Sequence, residues 1–373
     1  MIKQLLTELV SIKSNYPFEK DIALYLRNLF EKNKFTVKKQ QVEQDRQNLI
    51  IEKGLGSKSI VLYSHLDTVD VVDGWKTNPF QLSIKKNKAY GLGAWDMKGG
   101  MVVNILSFLD YHPKNFKLKL VFCVDEENIS KGGYKLINSN IINKNDCVIS
   151  TEPAFSHGIN GVVTGRIGRA VYQIQIIGQS KHFFYYQKKF DVNLFASHFL
   201  NEISRLDLII NENKKQSIFA RKIESSAVGM SLPEKTIIEL DSAVLPPNTH
   251  ELILKEIQNI GQKLNSKFNN YFKININLIK RETPFLESYE IKKTDLSFKK
   301  MCQSVQMVTG KKAIPYFRSS VADENIFGAH GMTVLGIGPE GGNAHSANEW
   351  VDLNSLENLY NILISFLKNY DLG

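Results

Sequence analysis

Ser-Ile-Val-Leu-Tyr-Ser-His-Leu-Asp, at residues 59–67, combines a buried strand with two polar side chains at its end. The four apolar residues 60–63 are typical of a strand that is covered on both faces of a sheet. His65 and Asp67 follow, and open α/β sheets bind their ligands at the carboxyl ends of the strands. The stretch therefore predicts a mostly parallel sheet with a functional site at His65 and Asp67.

Acidic and histidine side chains recur at comparable places further along the chain. They are Glu126 and Glu127 after the run 120–124, Glu152 after the run 147–149, Asp96 within Gly-Leu-Gly-Ala-Trp-Asp-Met-Lys-Gly-Gly, and His345 within Gly-Gly-Asn-Ala-His-Ser. Imidazole and carboxylate groups are ligands that zinc takes in catalytic sites. The same sheet edge is therefore predicted to carry a metal centre.

The number of candidate ligands indicates two metal ions rather than one. The set comprises two histidines and three carboxylates, namely His65, Asp96, Glu127, Glu152 and His345. One open catalytic zinc needs only three protein ligands, whereas five suit two ions, about 3.5–4 Å apart, that share a carboxylate. Glu126 and Asp67 remain as non-ligands, one to carry a proton and the other to orient a ligand imidazole.

Each of these residues also has a plainer interpretation. His65 would fit a strand-end histidine bonded to backbone, Asp96 a helix N-cap, and Glu126-Glu127 a solvated acidic loop. The ordered recurrence of the pattern favours the metal centre over these separate explanations.

Five of these blocks resemble those of a known family in order and spacing. His-Leu-Asp, the Asp96 block, Asp-Glu-Glu, Ser-Thr-Glu-Pro and Ala-His-Ser-Ala-Asn-Glu-Trp are similar to blocks of the acetylornithine deacetylase, succinyl-diaminopimelate desuccinylase and glutamate carboxypeptidase family of di-zinc metallopeptidases. The likeness extends over nearly the whole chain. It implies a three-layer α/β catalytic domain with a mostly parallel central sheet, and an inserted α+β sandwich that forms a lid and dimerisation domain.

The resemblance also implies roles for individual residues. One zinc would take His65, Asp96 and Glu152, and the other would take Asp96, Glu127 and His345. Glu126 is implied as the general base, and a cis peptide is implied after Asp96. His182, in Gly-Gln-Ser-Lys-His, resembles a family histidine that meets the oxyanion of the reaction, although a surface histidine is the plainer alternative.

Hydrophobic patterns divide the chain into a discontinuous first domain and an insertion. The catalytic domain is expected at residues 1–164 and 283–373, and the lid or dimerisation domain at 165–282. In the first domain we predict helices at 2–12, 21–33, 99–110 and 353–369, and strands at 59–66, 117–125, 146–151 and 333–337. The insertion is expected to have the order β-α-β-α-β, with strands at 170–176, 236–240 and 272–279 and helices at 191–206 and 249–266.

Composition and charge are those of a globular enzyme. The 373 residues, 43% hydrophobic and 23% charged, allow two domains with ample core. No signal peptide or membrane span is evident, and Cys123 and Cys147 within apolar runs suggest reduced thiols, so we expect a cytoplasmic protein. The net charge of +9 comes from scattered lysines, which argues against nucleic-acid binding.

Several positions bear on the substrate. The asparagine and the basic residue that family members commonly use are replaced at the equivalent positions by Met230 and Ala243, and an aromatic run, 183–186, follows His182. Arginines that could bind a substrate carboxylate bidentately are Arg166, Arg169 and, as first choice, Arg318. Asp323 matches a family aspartate near the site.

The sequence therefore predicts a hydrolase of C–N amide bonds that contains two divalent metal ions, Zn²⁺ first and Co²⁺ as a possible substitute. The expected reaction is removal of an acyl group from an N-acyl amino acid, by a homodimer. A di-zinc carboxypeptidase or dipeptidase is the alternative within this chemistry. A metal-containing protein that binds an amino acid without catalysis is the alternative from another class.

Overall fold

The computed structural model describes residues 1–206 and 217–372, and these residues form two compact units. Unit 1 comprises Met1–Arg166, Glu290–Arg318 and the chain from Ala322 onward. Unit 2 comprises Ile167–Tyr289 and Ser319–Val321. The predicted insertion 165–282 includes residues 207–216, which lie outside the described residues. Its assignment as a lid or dimerisation domain stays a prediction.

The helices and strands of the described residues are numbered in chain order. The helices are α1 (Ile2–Ser11), α2 (Lys20–Lys32), α3 (Gly100–Asp110), α4 (Lys131–Ile137), α5 (Val192–Ile203), α6 (His250–Lys267), α7 (Leu296–Thr309), α8 (Glu324–Ala329) and α9 (Leu353–Asp371). The strands are β1 (Lys38–Glu43), β2 (Arg46–Gly54), β3 (Ser59–His65), β4 (Ser83–Lys85), β5 (Lys88–Tyr90), β6 (Lys117–Cys123), β7 (Cys147–Ser150), β8 (Gly161–Arg166), β9 (Gly168–Ile177), β10 (Ile218–Ser225), β11 (Lys235–Val244), β12 (Lys273–Leu278), β13 (Tyr289–Glu290), β14 (Ile314–Arg318), β15 (Thr333–Gly336), β16 (Gly341–Gly342) and β17 (Trp350–Asp352).

The central sheet has the strand order β1-β2-β6-β3-β7-β15-β8-β13, and β14 also pairs with β8. Strands β6, β3, β7 and β15 run parallel to one another. Strand β3 is buried along its whole length, as its apolar run predicted. Together these strands confirm the predicted α/β class with a mostly parallel central sheet.

Helices cover both faces of this sheet. Ile60 and Leu62 belong to the hydrophobic core that includes Val103 of α3 and Leu359 of α9. Successive side chains of a strand point to opposite faces, so Tyr63 points away from that core. The ring of Tyr63 packs edge-on against Phe327 of α8, with the ring centroids 5.3 Å apart. The sheet is therefore the middle of three layers.

The parallel strands bring their carboxyl ends to one edge. In register, His65 pairs with Cys123 at the end of β6, and Tyr63 pairs with Ser150 at the end of β7. Ser150 pairs in turn with Gly336, the last residue of β15. Glu126, Glu127 and Glu152 follow the ends of β6 and β7, whereas Asp96 follows β5 of a smaller sheet, so the register of the central sheet gathers most of the candidate ligands.

Unit 2 contains an antiparallel sheet of order β10-β11-β9-β12. Helices α5 and α6 share a core with it, in which Phe195 and Ile253 join Ile174 and Ile176. The predicted order β-α-β-α-β was wrong in one respect, because β10 (Ile218–Ser225) adds a strand between α5 and β11. This edge strand is mostly exposed, with polar and apolar residues on both faces, so its sequence has no clear apolar alternation.

A third, small sheet of order β16-β17-β5-β4 was not predicted. Its strands have two or three residues each, too few to give a periodic signal. Among the described residues, no helix combines the length and the apolar character needed to cross a membrane.

We predict that Leu62→Ala lowers the free energy of unfolding of the sheet-containing unit by about 2–5 kcal/mol, because Leu62 is fully buried in the core. Leu55→Ala is the matched control, since Leu55 is 79% exposed and its truncation should change this value by less than about 0.5 kcal/mol. Urea unfolding followed by fluorescence measures both. Equal effects of the two substitutions would contradict this placement of β3.

Candidate active site

The five predicted ligands converge into two overlapping groups at the carboxyl edge of the central sheet. One group is His65, Asp96 and Glu152, and the other is Asp96, Glu127 and His345. In the first, His65 Nε2 lies 3.4 Å from Asp96 Oδ1 and 3.2 Å from Glu152 Oε1. In the second, His345 Nε2 lies 3.3 Å from Asp96 Oδ2 and 3.2 Å from Glu127 Oε1. The two oxygens of Asp96 thus face different groups.

These distances fit metal coordination. A tetrahedral zinc ion with bonds of about 2.0–2.1 Å separates its ligand atoms by about 3.3–3.4 Å, close to the spacing of both groups. His65 Nε2 and Glu152 Oε1 are buried, and neither has a hydrogen-bond partner within the described chain. Unpaired buried polar atoms are costly unless something else satisfies them. The donor set and its unpaired atoms therefore fit two divalent cations.

A hydrogen bond at Nδ1 fixes the tautomer of the His65 ring. Nδ1 lies 2.9 Å from the main-chain oxygen of Asp67, and a carbonyl oxygen can only accept. In the neutral imidazole the proton is therefore on Nδ1, and the lone pair of Nε2 faces Asp96 and Glu152.

The carboxylate of Asp67 lies between the imidazole of His65 and the backbone of the acidic segment. It lies 3.6 Å from His65 Nδ1, and it accepts the N–H groups of Glu126 at 3.2 Å and Glu127 at 2.9 Å. The sequence suggested that this side chain would orient the imidazole. The carboxylate and the main-chain oxygen of Asp67 both face Nδ1 of His65, and the orienting role of the side chain stays a prediction.

Asp96 lies in a tight segment between glycines. Gly93 has a φ of +72°, a conformation that side chains disfavour, and the peptide bond from Asp96 to Met97 is cis, as the resemblance implied. Lys98 is buried in the same segment and donates from Nζ to the main-chain oxygen of Ile12 at 2.8 Å.

His345 is supplied by a loop rather than by a strand end. Asn343, His345 and Asn348 all have left-handed φ values, between +58° and +63°. The imidazole of His345 is 53% exposed, in contrast to the fully buried side chain of His65. One of the two groups therefore opens to solvent, as a site for an incoming substrate requires.

The imidazoles and carboxylates of the site shift one another's pKa values. Burial alone would lower the pKa of His65, but the carboxylates of Asp67, Asp96 and Glu152 raise it well above its usual value. The carboxylates of Asp96 and Glu127 raise the pKa of His345 to about 10. Burial raises the pKa of Glu127 to about 7. The protein alone therefore gathers more negative charge than it can compensate, which favours cations.

Glu126 lies beside both groups. One of its carboxylate oxygens is close to ligand atoms of His65 and Glu127, within a third possible cluster. Burial and the nearby charge of Glu152 raise the pKa of Glu126 well above its usual value. A half-buried carboxylate whose pKa is raised is suited to acid–base work.

Two arginines border Glu152. Arg166 donates to Glu324 at 2.8 Å and lies 3.7 Å from Glu152. Arg318 is 5% exposed, its Nη1 lies 4.0 Å from Glu152, and that atom has no hydrogen-bond partner within the described chain. The guanidinium carbon of Arg318 lies 4.6 Å from the ring centroid of Phe155. Arg318 therefore presents an unused donor next to the candidate ligands.

The remaining candidates lie in unit 2. His182 is exposed, and its Nδ1 accepts from the N–H of Phe184 at 3.3 Å. Arg169 pairs bidentately with Asp241 at 3.0 and 2.7 Å, so its guanidinium is already engaged. Met230 is 61% exposed, and Ala243 pairs with Arg169 across the sheet.

Sequence reasoning missed two residues that touch the site. Glu349 is 1% exposed and accepts hydrogen bonds from the segment that carries Asp96. Tyr63 donates from its hydroxyl to Asp323 at 2.7 Å, and burial raises the pKa of that aspartate to about 7. A glutamate between polar Asn348 and aromatic Trp350 gave no hint of burial, because neither neighbour belongs to a long apolar run.

A parallel sheet with two histidine–carboxylate groups joined by one aspartate defines a class of protein, those with a candidate dinuclear metal site. The particular family follows from a comparison with known proteins. The chain belongs to peptidase family M20/M25/M40, whose profile matches residues 61–369. This confirms the family that the sequence motifs resembled.

Two curated relatives are deacylases by name. A probable succinyl-diaminopimelate desuccinylase from Staphylococcus aureus is 29% identical over 185 residues, which cover 48% of this chain and 45% of the relative. An acetylornithine deacetylase from Buchnera aphidicola is 34% identical over 161 residues, 42% of this chain and 41% of the relative. The matched stretch therefore spans less than half the length of these relatives.

Solved structures share the fold over nearly the whole chain. An aminopeptidase PepT from Bacillus cereus superposes with a TM-score of 0.80 at 16% identity, covering 99% of this chain and 97% of that one. A protein from Bacillus subtilis, described as a dinuclear metal-binding peptidase of the M20 family, gives a TM-score of 0.76 at 12% identity over 98% and 96% of the two chains. At such identities the likeness establishes the fold alone.

We predict that the purified protein retains about two divalent ions per chain and that His345→Ala lowers this to about one, because one group loses a ligand while the other keeps all three. Elemental analysis after dialysis measures the content. His112→Ala, which removes an exposed histidine outside the two groups, should leave the content unchanged. An unchanged metal content in His345→Ala would refute the second group.

Proposed function

We propose that this chain is a zinc-dependent amidohydrolase that removes an acyl group from an N-acyl amino acid. The observation that supports this best is the shared aspartate, Asp96, whose two oxygens each face a separate group of histidine and carboxylate ligands. A single structural metal would not need two such groups, and it would have no use for the additional carboxylate of Glu126 beside them.

In this proposal one ion is held by His65, Asp96 and Glu152, and the other by Asp96, Glu127 and His345. Zn²⁺ fits these nitrogen and oxygen donors best, and Co²⁺ would replace it in vitro. When bound, the ions would polarise the scissile carbonyl and make the attacking water more acidic.

Glu126 is the proposed general base. Its carboxylate takes a proton from the attacking water as the water oxygen bonds to the amide carbon. The C–N bond then breaks, and Glu126 passes that proton to the leaving amine nitrogen. Asp67 supports this role because its carboxylate fixes the backbone N–H groups of Glu126 and Glu127.

His182 is the proposed donor to the oxyanion. Since Nδ1 of His182 accepts a hydrogen bond from Phe184, the proton of the neutral ring is on Nε2, which can donate. Such a donor typically contributes about 3 kcal/mol to the transition state. His182 lies in unit 2, and its proposed role is supported by the likeness of Gly-Gln-Ser-Lys-His to the family motif.

Arg318 is the proposed partner of the substrate carboxylate. Its Nη1 is buried and without a hydrogen-bond partner among the described residues, and it lies 4.0 Å from Glu152. A carboxylate at this position would satisfy the unused donor and would place the neighbouring amide next to the ligand groups.

We predict that Glu126→Gln lowers kcat by at least about 100-fold while the metal content stays near two per chain, because the amide keeps the shape but cannot take a proton. Turnover of N-acetyl amino acids and elemental analysis are measured on the same preparation. Retained turnover in that preparation would contradict the role of Glu126 as general base, and the assignment of the metal ligands would stand.

We predict that Arg318→Ala lowers kcat/KM for an N-acetyl amino acid roughly 100-fold, because a charge-assisted pair in a buried setting is lost. On the carboxamide analogue of that substrate, Arg318→Ala should have nearly the same kcat/KM as the unsubstituted protein, because the analogue lacks the charge that Arg318 would bind. Arg169→Ala is the matched control, since that guanidinium already pairs with Asp241. Equal losses on both substrates would exclude Arg318 as the carboxylate partner.

Peptide hydrolysis is the second candidate within the same chemistry. The fold likeness to an aminopeptidase, at a TM-score of 0.80, favours keeping it beside deacylation. A panel of N-acetyl amino acids, N-succinyl amino acids and dipeptides, assayed with added zinc or cobalt, separates the two by relative kcat/KM. No turnover of any member by metal-replete protein would favour a non-catalytic amino-acid-binding protein instead.

A homodimer in the cytoplasm is part of the proposal. The antiparallel sheet of unit 2 has two edge strands, β10 and β12. Edge strands offer main-chain groups for pairing with a second copy, which motivates the dimer. Light scattering of the purified protein would establish the number of copies.

A further inference from the structure

The carboxylate of Glu349 accepts three backbone hydrogen bonds from the segment that carries Asp96. Its Oε1 accepts from the N–H groups of Trp95 at 2.7 Å and Asp96 at 2.9 Å, and its Oε2 accepts from Gly93 at 2.8 Å. The side chain is 1% exposed, so these bonds are shielded from water. Charge-assisted bonds of this kind are stronger than neutral ones.

Glu349 also belongs to the loop that carries His345, four residues earlier. Its main-chain oxygen accepts from the N–H of Gly91 at 3.1 Å, which adds a fourth bond between the same two segments. The indole of Trp95 donates to the main-chain oxygen of Pro339 at 2.8 Å and joins them again. Glu349 therefore lies at the centre of the connection between the Asp96 segment and the His345 loop.

We infer that Glu349 is a positioning residue that sets the separation of Asp96 and His345, and through it the affinity of the ion held by Asp96, Glu127 and His345. This inference rests on the proposed metal site. His345 Nε2 and Asp96 Oδ2, the atoms that would hold that ion, are 3.3 Å apart in the structure. Asp96 has non-helical backbone angles, and the three bonds to the carboxylate of Glu349 tie its segment to the His345 loop.

Glu349→Gln tests this with a side chain of the same shape. The amide of a glutamine has one oxygen, which accepts, and one NH2 group, which donates. The oxygen can keep the bonds to Trp95 and Asp96, but the NH2 group then faces the N–H of Gly93, which loses its acceptor. Asp371→Asn is the matched control. The carboxylate of Asp371 also accepts backbone N–H groups, from Lys114 and Asn115, at a place in unit 1 apart from the ligand groups.

The first measurement is amide hydrogen exchange on metal-free protein. Glu349→Gln should accelerate exchange at Gly93, whose N–H loses its acceptor, by about tenfold or more, and Asp371→Asn should leave this amide unchanged. Unchanged exchange in Glu349→Gln would overturn the inference whether or not the protein binds metal. Glu349→Ala is included as a larger perturbation, and Glu349→Gln keeps the test valid if the alanine variant does not fold.

The second measurement is titration of metal-free protein with zinc by calorimetry. Glu349→Gln should weaken one of two binding events by about 10–100-fold, the usual effect of losing a residue that orients a metal ligand, and leave the other near its original value. Asp371→Asn should weaken neither. Faster exchange with two unaltered affinities would overturn the link to the metal. A wild-type chain that binds no zinc would instead refute the proposed function, and the exchange result would still decide whether Glu349 fixes the Asp96 segment.

Discussion

The site depends on one carboxylate, that of Asp96, which faces two ligand groups at once. Its oxygens lie 3.4 Å from one imidazole and 3.3 Å from the other, and those imidazoles come from positions 65 and 345 of the chain. Burial alone would raise the pKa of Asp96, but His345 and His65 hold it below its usual value. The aspartate therefore stays ionised, as a shared ligand must.

The fold supplies this arrangement through sheet register. Parallel pairing of β6, β3, β7 and β15 brings four strand ends to one edge, and each end leads into a segment with at least one ligand or partner. The side chains at that edge are mostly carboxylates in a buried setting, which raises the pKa of several of them. Such a cluster is unfavourable for the protein alone and favourable once cations are bound.

Part of this could be predicted from the sequence. The apolar run of β3 and the residues that follow it indicated the parallel sheet, because a fully buried strand has a continuous hydrophobic signal. The five candidate ligands, which the structure brings together, were identifiable by residue type and position. The roles of backbone contacts were not, since a sequence does not show that Asp67 holds the N–H groups of Glu126 and Glu127. Strand β10 was missed for a different reason, because an exposed edge strand has no buried face to impose alternation.

The most direct test is anomalous diffraction at the zinc edge from crystals of the zinc-loaded protein. Two peaks about 3.5–4 Å apart, one on each side of the Asp96 carboxylate, are the predicted result. A single peak, or two peaks that do not share Asp96, would contradict the account.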